Sequence, residues 1–274
     1  MSKNANSPFE KIQNRYGIIK KVVAVMSGKG GVGKSSITAL LASALNKKGL
    51  KVGVLDADIT GPSIPKVFGV KEKAQVIGDT ILPSETPLGI KIMSINLILE
   101  NEEDPVIWRG PLIAGMVKQF FEQVDWGDLD YLVVDLPPGT GDVPLTVMQS
   151  LPLSGMIVVS SPQELVTLIV KKAINMADKL NIPILGLIEN MSYFECPGCK
   201  RKTELFGKSR VEVVASEMEL ALLGRLPIIP EVAQLSDEGK IETVEAICPG
   251  FFDEIVNNLL TKPELKNKVN RRVN

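Results

Sequence analysis

Residues 21–48 constrain the fold more than any other part of the sequence. A short, largely β-branched apolar run at residues 22–26 leads into a loop that carries four glycines between positions 28 and 33. The loop opens residues 36–48, where apolar side chains recur at helical spacing, and Gly49 follows as a helix C-cap would. Strand, glycine turn and helix in this order predict a buried parallel strand whose following helix covers the sheet.

The same alternation continues along the chain. Buried strands are predicted at residues 51–55, 131–134, 156–159 and 184–188, and an amphipathic helix at residues 164–180. Alternating strands and helices indicate an α/β fold, with a mainly parallel sheet and helices on both faces. Residues 71–105 contain several glycines and prolines and predict an irregular or hairpin insertion.

The domain organisation follows from where this alternation begins and ends. Residues 1–20 are polar and are interpreted as an N-terminal leader, residues 21–262 as one domain, and residues 263–274 as a basic C-terminal tail. A chain of 274 residues is large for one domain, but α/β folds often reach this size undivided.

Charge and composition exclude several classes of function. Thirty-one basic against 32 acidic residues give a net charge of -1, so no general attraction to nucleic acid or anionic membrane is expected. No apolar run approaches the ~18 residues that a membrane span needs, and the N-terminus lacks the apolar centre of a signal peptide. We therefore expect a cytoplasmic protein without stable membrane association. The absence of histidine excludes Ser-His catalysis and histidine-ligated zinc.

The glycine loop fits the phosphate-binding pattern G-x-x-x-x-G-K-[ST], the P-loop. Glycines let backbone N–H groups surround phosphates, and the helix N-terminus adds its positive end. Lys34 is predicted to reach the β- and γ-phosphates, and Ser35 to bind magnesium. An ordinary glycine turn with a helix cap is the alternative, which the strand–loop–helix context disfavours. The predicted nucleotide contacts in this loop are Gly28, Lys29, Gly30, Gly31, Val32, Gly33, Lys34, Ser35 and Ser36.

Acidic residues end two other predicted strands. Asp135 closes an apolar strand, which is the Walker B pattern, and is predicted to hold the magnesium shell. It opens the stiff loop at residues 136–142, a candidate sensor of the γ-phosphate. Asp56 and Asp58 end the second strand, where a carboxylate could orient an attacking water. Each one separately fits a helix cap or a turn, but three beside a P-loop favour the functional interpretation.

Two of the three cysteines form a C-x-x-C pair. Cys196 and Cys199 flank a Pro-Gly turn that can aim both sulfurs one way, and the pair suits a metal clamp, a redox couple or a coincidence. Zinc and [4Fe–4S] clusters usually take four ligands, which one chain with a single such pair and no histidine does not supply. A two-fold dimer would supply them. Cys248 is interpreted as a buried apolar residue, and a surface disulfide between Cys196 and Cys199 remains an alternative.

A second lysine in the loop, Lys29, resembles the signature lysine of the deviant Walker A ATPases, the MinD-like group. Within that group, the chain resembles the Mrp/ApbC family of ATP-dependent iron–sulfur cluster carriers over residues 21–260. The matching segments are GKGGVGKSS at 28–36, DADITGPSIP at 56–65, WRGP at 108–111, DLPPGTGD at 135–142, ENMSYFECPGC at 189–199 and GRLPIIP at 224–230.

The resemblance implies an ATPase that uses ATP and Mg²⁺ and carries a [4Fe–4S] cluster. In that family pattern Lys29 and Lys34 contact phosphates, with Lys29 reaching across a homodimer, and Asp58 positions the hydrolytic water. Asn190 is implied to read adenine, and Pro227 begins a segment that flanks the base. The family's partners would be recipient apo iron–sulfur proteins and cluster assembly proteins, and its cluster ligands would be Cys196 and Cys199.

Two rival functions use the same P-loop. A MinD/ParA-like positioning ATPase would act at a membrane or on DNA. A metabolic kinase or ligase would transfer phosphate to a small molecule and would not need Cys196 or Cys199.

Overall fold

The computed structural model describes residues 12–59, 61–99, 110–162 and 166–265. The strands are β1 (Ile19–Ser27), β2 (Val52–Asp56), β3 (Gln75–Ile77), β4 (Thr80–Leu82), β5 (Ser84–Glu85), β6 (Lys91–Met93), β7 (Leu129–Asp135), β8 (Gly155–Ser160), β9 (Ile184–Glu189), β10 (Phe194–Glu195), β11 (Lys202–Thr203) and β12 (Leu222–Arg225). The α-helices are α1 (Lys34–Lys47), α2 (Ile64–Phe68), α3 (Gly110–Gln123), α4 (Asp142–Ser150), α5 (Val166–Leu180), α6 (Val211–Glu217), α7 (Pro230–Asp237), α8 (Val244–Ile247) and α9 (Asp253–Leu260).

Eight strands form one sheet in the order β12-β9-β8-β1-β7-β2-β6-β5. Every pairing in it is parallel except that of β5 with β6. Every residue of β2 and of β8 is buried, as expected for strands covered on both faces. The predicted α/β fold with a mainly parallel sheet is therefore confirmed.

Helices cover the sheet on both faces and enclose two apolar cores. Apolar residues of α3, α4, α5 and α6 pack into one core, which includes Val117, Val147, Val170 and Val214. The other core lies under α1, α2, α7, α8 and α9 and includes Leu41, Val67, Leu235, Val244 and Val256. Because all the parallel strands point the same way, the loops after β1, β2, β7 and β9 meet at one edge of the sheet.

The predicted insertion at residues 71–105 contains the expected hairpin, formed by β3 and β4. The sequence did not indicate β6, which joins the main sheet in parallel with β2. A strand of three residues is too short to show a hydrophobic period, so its formation depends on pairing with β2 in the folded protein. Residues 100–105 of the insertion lie outside the described part of the chain.

The described part of the predicted leader lies against the domain. Asn14 donates from Nδ2 to the carbonyl oxygens of Phe121 and Val124, both at 2.8 Å, and β1 begins at Ile19. The domain boundary at residue 20 stays a prediction. Residues 108–109 of the WRGP segment and residues 266–274 of the tail lie outside the described residues. Within the described ranges, every helix is too short or too polar to cross a bilayer.

Candidate functional site

Residues 28–33 join the end of β1 to the start of α1, as the P-loop prediction requires. Gly31 and Gly33 have φ angles of 84° and 81°, in the left-handed region that favours glycine. A Cβ added to Gly33 would lie 2.3 Å from Nδ2 of Asn190, so the Asn190 side chain would have to move to admit any other residue. Gly33 thereby brings the P-loop into contact with the segment after β9.

Lys34 and Asp135 form a buried ion pair at the base of the loop. The Lys34 Nζ lies 2.7 Å from Asp135 Oδ2, and both side chains are almost fully buried. Ser35 Oγ donates to the same oxygen at 2.6 Å, and Thr38 Oγ1 donates to Asp135 Oδ1 at 2.6 Å. Carboxylate and hydroxyl oxygens are ligands that Mg²⁺ accepts, so Ser35 and Asp135 are suitably placed to hold it.

Thr38 was not singled out in the sequence analysis. It lies one helical turn after Lys34 on α1, on the face that meets β7, and its side chain is buried. The i, i+4 spacing from Lys34 was the available signal. It becomes meaningful only once β7 is known to lie beside α1.

Asp56 and Asp58 occupy different layers of the site. Asp56 pairs in register with Asp135, and its carboxylate accepts hydrogen bonds from the backbone N–H groups of Asp58 and Ile64. Burial, and then the negative charge of Asp135, raise the pKa of Asp56 to about 8, against the opposing charge of Lys34. Asp58 Oδ2 instead lies 3.8 Å from Lys34 Nζ and lines the phosphate pocket. The structure thus brings Asp58 into the pocket and places Asp56 beneath it.

The phosphate pocket is open and is lined by residues of the loops after β1, β2 and β7 and of helices α1, α2 and α7. Lys29 is exposed at its rim, and Pro138 of the loop after β7 forms part of its wall. The sequence did not single out Ser63, Lys66, Ser236 or Asp237, which also line it. The lining residues are Ser27, Lys29, Gly30, Gly31, Gly33, Lys34, Ser35, Ser36, Asp58, Ser63, Lys66, Val67, Pro138, Ser236 and Asp237.

A second, more apolar pocket adjoins the first. Asn190 and Pro227 both line it, and Asn190 Nδ2 donates to the Val32 carbonyl oxygen at 3.0 Å. Gly33, Ser36 and Ser236 line both pockets, so the two form one cleft with a polar and an apolar half. A cleft of this kind suits a nucleotide with its phosphates in the loop and its base in the apolar half. The lining residues are Gly33, Ser36, Ile37, Leu40, Asn190, Met191, Pro227, Ile228, Ile229, Val232, Ala233, Ser236 and Phe251.

The cysteine pair lies in the turn between β10 and β11. The Cys196 N–H donates to the Arg201 carbonyl oxygen at 3.0 Å, and the Lys200 N–H donates to the Cys196 carbonyl oxygen at 2.9 Å. Cys199 is exposed and Cys196 half-buried, and both are free thiols. Hydrogen bonds from the backbone N–H groups of Cys199 and then Gly198 lower the pKa of Cys196, which favours the metal-binding thiolate.

Cys248 lies away from this turn and is half-buried rather than fully buried, packing against the core under α1 and α9. Burial raises the pKa of its thiol, so it stays protonated more readily than an exposed cysteine. Across the described ranges, no three cysteine, aspartate or glutamate side chains come together in a way that could hold a metal ion. Cys196 and Cys199 are therefore a pair of thiols and not part of a larger ligand set within the described chain.

Comparisons with known proteins identify the family of this chain. The family model ParA, described as NUBPL iron-transfer P-loop NTPase, matches residues 18–260. An iron–sulfur cluster carrier protein of Clostridium perfringens is 49% identical over 247 residues, which cover 87% of each chain. One of Methanocaldococcus jannaschii is 48% identical over 262 residues, which cover 94% of this chain and 90% of the relative.

Solved structures give the same picture. A nucleotide-binding protein of Archaeoglobus fulgidus, solved in complex with ADP, is similar with a TM-score of 0.77 and 48% identity, over 86% of this chain and 91% of that one. The septum site-determining protein MinD of Pyrococcus horikoshii has a TM-score of 0.59 at 23% identity, over 87% of this chain and 94% of that one, and this likeness concerns the fold only. With the family model matched over most of its length and relatives near half identity, this chain belongs to the family of NUBPL iron-transfer P-loop NTPases.

Proposed function

We propose that this protein is an ATP-hydrolysing carrier that holds an iron–sulfur cluster between two copies of the chain and transfers it to apo iron–sulfur proteins in the cytoplasm. The observation that carries the proposal is a phosphate loop and a pair of free thiols, one exposed and one half-buried, in one chain. The relatives of this chain that are named iron–sulfur cluster carrier proteins support the same function.

The nucleotide in this proposal is ATP with magnesium. Lys34 would exchange its ion pair with Asp135 for the β- and γ-phosphates, while Ser35 and Asp135 hold the metal, which neutralises phosphate charge. Asn190 and Pro227 would contact the base in the apolar half of the cleft. The ADP complex of the relative from Archaeoglobus fulgidus supports adenine as that base.

Hydrolysis requires a water placed in line with the bond between the γ-phosphorus and the leaving oxygen. Asp58 lines the pocket at 3.8 Å from Lys34, so its carboxylate is close enough to the phosphates to orient that water. The water would then add to the γ-phosphorus as the bond to ADP breaks, so that ADP leaves, inorganic phosphate keeps the hydroxyl and the other proton of the water passes to solvent. Lys34, and Lys29 from the partner copy, would stabilise the charge on the transferred group.

The cluster, which is the cargo, would be shared. Four thiolates are the common ligand set of a [4Fe–4S] cluster, and this turn supplies two. A two-fold axis that passes beside the turn would bring the second pair from the partner copy. Cluster assembly proteins would load this site, and apo proteins would unload it.

Anaerobic reconstitution with iron and sulfide tests the cluster proposal. One [4Fe–4S] cluster per dimer gives about two irons and two sulfides per subunit, and loading shifts the protein towards dimer in sedimentation. Cys196→Ala and Cys199→Ala should each lose the cluster and its transfer to an apo ferredoxin-type acceptor. Cys248→Ala is the matched control and should keep both. Four irons per monomer, or full loading of the double cysteine variant, contradicts the proposal.

A further inference from the structure

The segment that enters the cysteine turn is the same segment that lines the base pocket. Asn190 and Met191 line that pocket, and Cys196 follows Asn190 by six residues. Asn190 is also fastened to the P-loop by its hydrogen bond to the Val32 carbonyl oxygen. A base bound in that pocket would therefore contact one end of a short stretch of chain whose other end carries the two thiols.

This stretch runs beside residues 226–229, of which residues 227–229 also line the pocket. The Ser192 N–H donates to the Leu226 carbonyl oxygen at 2.8 Å, and the Ile228 N–H donates to the Tyr193 carbonyl oxygen at 2.7 Å. Phe194, the first residue of β10, pairs in parallel with Ile228. Backbone hydrogen bonding thus continues from the pocket wall into the hairpin that holds the cysteines.

Glu189 fastens both ends of that hairpin segment. Its carboxylate is fully buried, and it accepts hydrogen bonds from Ser192 Oγ at 2.6 Å and from Ser209 Oγ at 2.8 Å. Ser192 lies before the cysteine turn and Ser209 lies after it. Arg225 compensates the charge, with its Nε 3.2 Å from Glu189 Oε2.

Arg225 extends the same network around the exit of the hairpin. Its guanidinium also pairs with Glu212 at 3.3 Å and approaches Glu204 at 3.9 Å. A buried charge whose partners are all engaged is costly to rearrange piece by piece. A displacement at one end of residues 190–209 should therefore be transmitted to the rest of that segment.

We propose that Glu189 and Arg225 are a positioning pair that couples the base pocket to the cysteine turn, so that a bound nucleotide restrains Cys196 and Cys199. The proposal rests on the proposed function in that it gives the route by which nucleotide binding would control cluster release. Neither residue lines the base pocket or the phosphate pocket, and both would act through the segment that they hold.

The test measures the two thiols directly on metal-free protein. In a Cys248→Ala background, the rate of modification by an aromatic disulfide reagent reports only Cys196 and Cys199. Saturating ADP should slow that rate by about fivefold, the lower end of typical coupling between sites. Nucleotide titration confirms saturation for every variant.

Ser209→Ala and Glu189→Gln should reduce the ADP effect towards a ratio of one, although both variants still bind ADP. Glu217→Gln, an exposed change on α6 outside the network, should keep the parent ratio. Substituting a residue with only a structural role would lower the melting temperature. It would raise the modification rates with and without ADP together, so their ratio would not change. Ser209→Ala removes one hydroxyl and keeps the test valid if Glu189→Gln does not fold.

Two results overturn the coupling: an ADP ratio of one in the parent protein at proven saturation, or the parent ratio in both Ser209→Ala and Glu189→Gln. The assay needs no cluster. A protein that fails reconstitution but shows the ADP effect therefore refutes the carrier function and keeps the coupling. A protein that binds a cluster but shows no ADP effect refutes the coupling and keeps the carrier function.

Discussion

At the scale of single residues, Lys34 is the positive charge among three carboxylates. Its Nζ lies 2.7 Å from Asp135 and 3.8 Å from Asp58. Its positive charge lowers the pKa of Asp56, whereas the charge of Asp135 raises it. This arrangement keeps an ammonium group at the entrance to α1, where phosphates are expected to bind. Removing the Lys34 charge should change both the free energy of unfolding and the rate of ATP hydrolysis, and the two can be measured independently.

Lys34→Ala should lower ATP hydrolysis by at least ~100-fold, because it removes a preorganised charge on the transferred phosphate. It should also lower the free energy of unfolding by about 3 kcal/mol, since Asp135 stays buried without its partner. Phosphate release and urea unfolding measure the two effects. Lys48→Ala, at the exposed C-cap of α1, is the control and should change neither. Hydrolysis at the parent rate in Lys34→Ala would place phosphate binding elsewhere.

Gly33→Ala should destabilise the nucleotide-free protein by about 1–3 kcal/mol, because the residue has a positive φ and its Cβ would meet Asn190. Gly30→Ala is a matched change in the same loop, where a Cβ meets open space and φ is not positive. It should cost less than about 0.5 kcal/mol. Equal unfolding midpoints for the two variants would show that the contact between Gly33 and Asn190 does not matter.

At the scale of elements, the ends of β2 and β7 place Asp56 and Asp135 side by side in register. Burial raises the free-energy cost of ionising Asp56, and repulsion from the neighbouring carboxylate of Asp135 adds to that cost. The pKa of Asp56 is about 8 in the folded protein and near 3.8 when the chain is unfolded. Between these values the folded state binds the extra proton, so its stability should fall as pH rises.

Asp56→Asn should remove this contribution to the pH dependence. The free energy of unfolding of the variant, measured relative to that of the parent, should increase from pH 4 to pH 8. The slope is the informative quantity, because the amide also changes the hydrogen bonds to Asp58 and Ile64 and so shifts the absolute stability. Urea unfolding at four pH values measures it. A constant difference across that range would show that Asp56 is ionised throughout.

At the scale of the whole molecule, Lys29 and the cysteine turn are both exposed. Their exposure is compatible with the proposed contact with a second copy of the chain. Lys29 lines the phosphate pocket, yet Lys34 of the same chain already reaches its floor. We expect Lys29→Ala to lower hydrolysis at least tenfold while nucleotide affinity changes less, since a charge supplied in trans acts mainly on the transition state.

Mixing two impaired variants tests whether Lys29 acts across the proposed dimer. In a dimer of Lys29→Ala with Asp58→Asn, one site has its own Asp58 and receives Lys29 from the partner copy. Random mixing should restore about a quarter of the parent hydrolysis, because half the dimers are mixed and each has one complete site. Activity that stays at the level of the separate variants would place Lys29 in its own subunit's site.

Features that depend on neighbouring residues along the chain are predictable from the amino-acid sequence alone. The phosphate loop lies within eight consecutive residues, its strand and helix flank it directly, and the Cys196–Cys199 turn spans four. Asp135 was predicted from the apolar strand that it ends. Local backbone geometry and periodicity carry these signals, so no tertiary contact is needed to read them.

Features that join distant segments of the chain depend on the tertiary fold. Thr38 contacts Asp135, 97 residues away, only because β7 lies beside β1 and under α1. The order of the strands likewise sets Asp56 beneath the pocket and Asp58 in it. It also brings Arg225 of β12 to Glu189 of β9. Such contacts depend on strand order and packing in the folded sheet, and a periodic pattern in one segment carries no information about which other segment lies beside it.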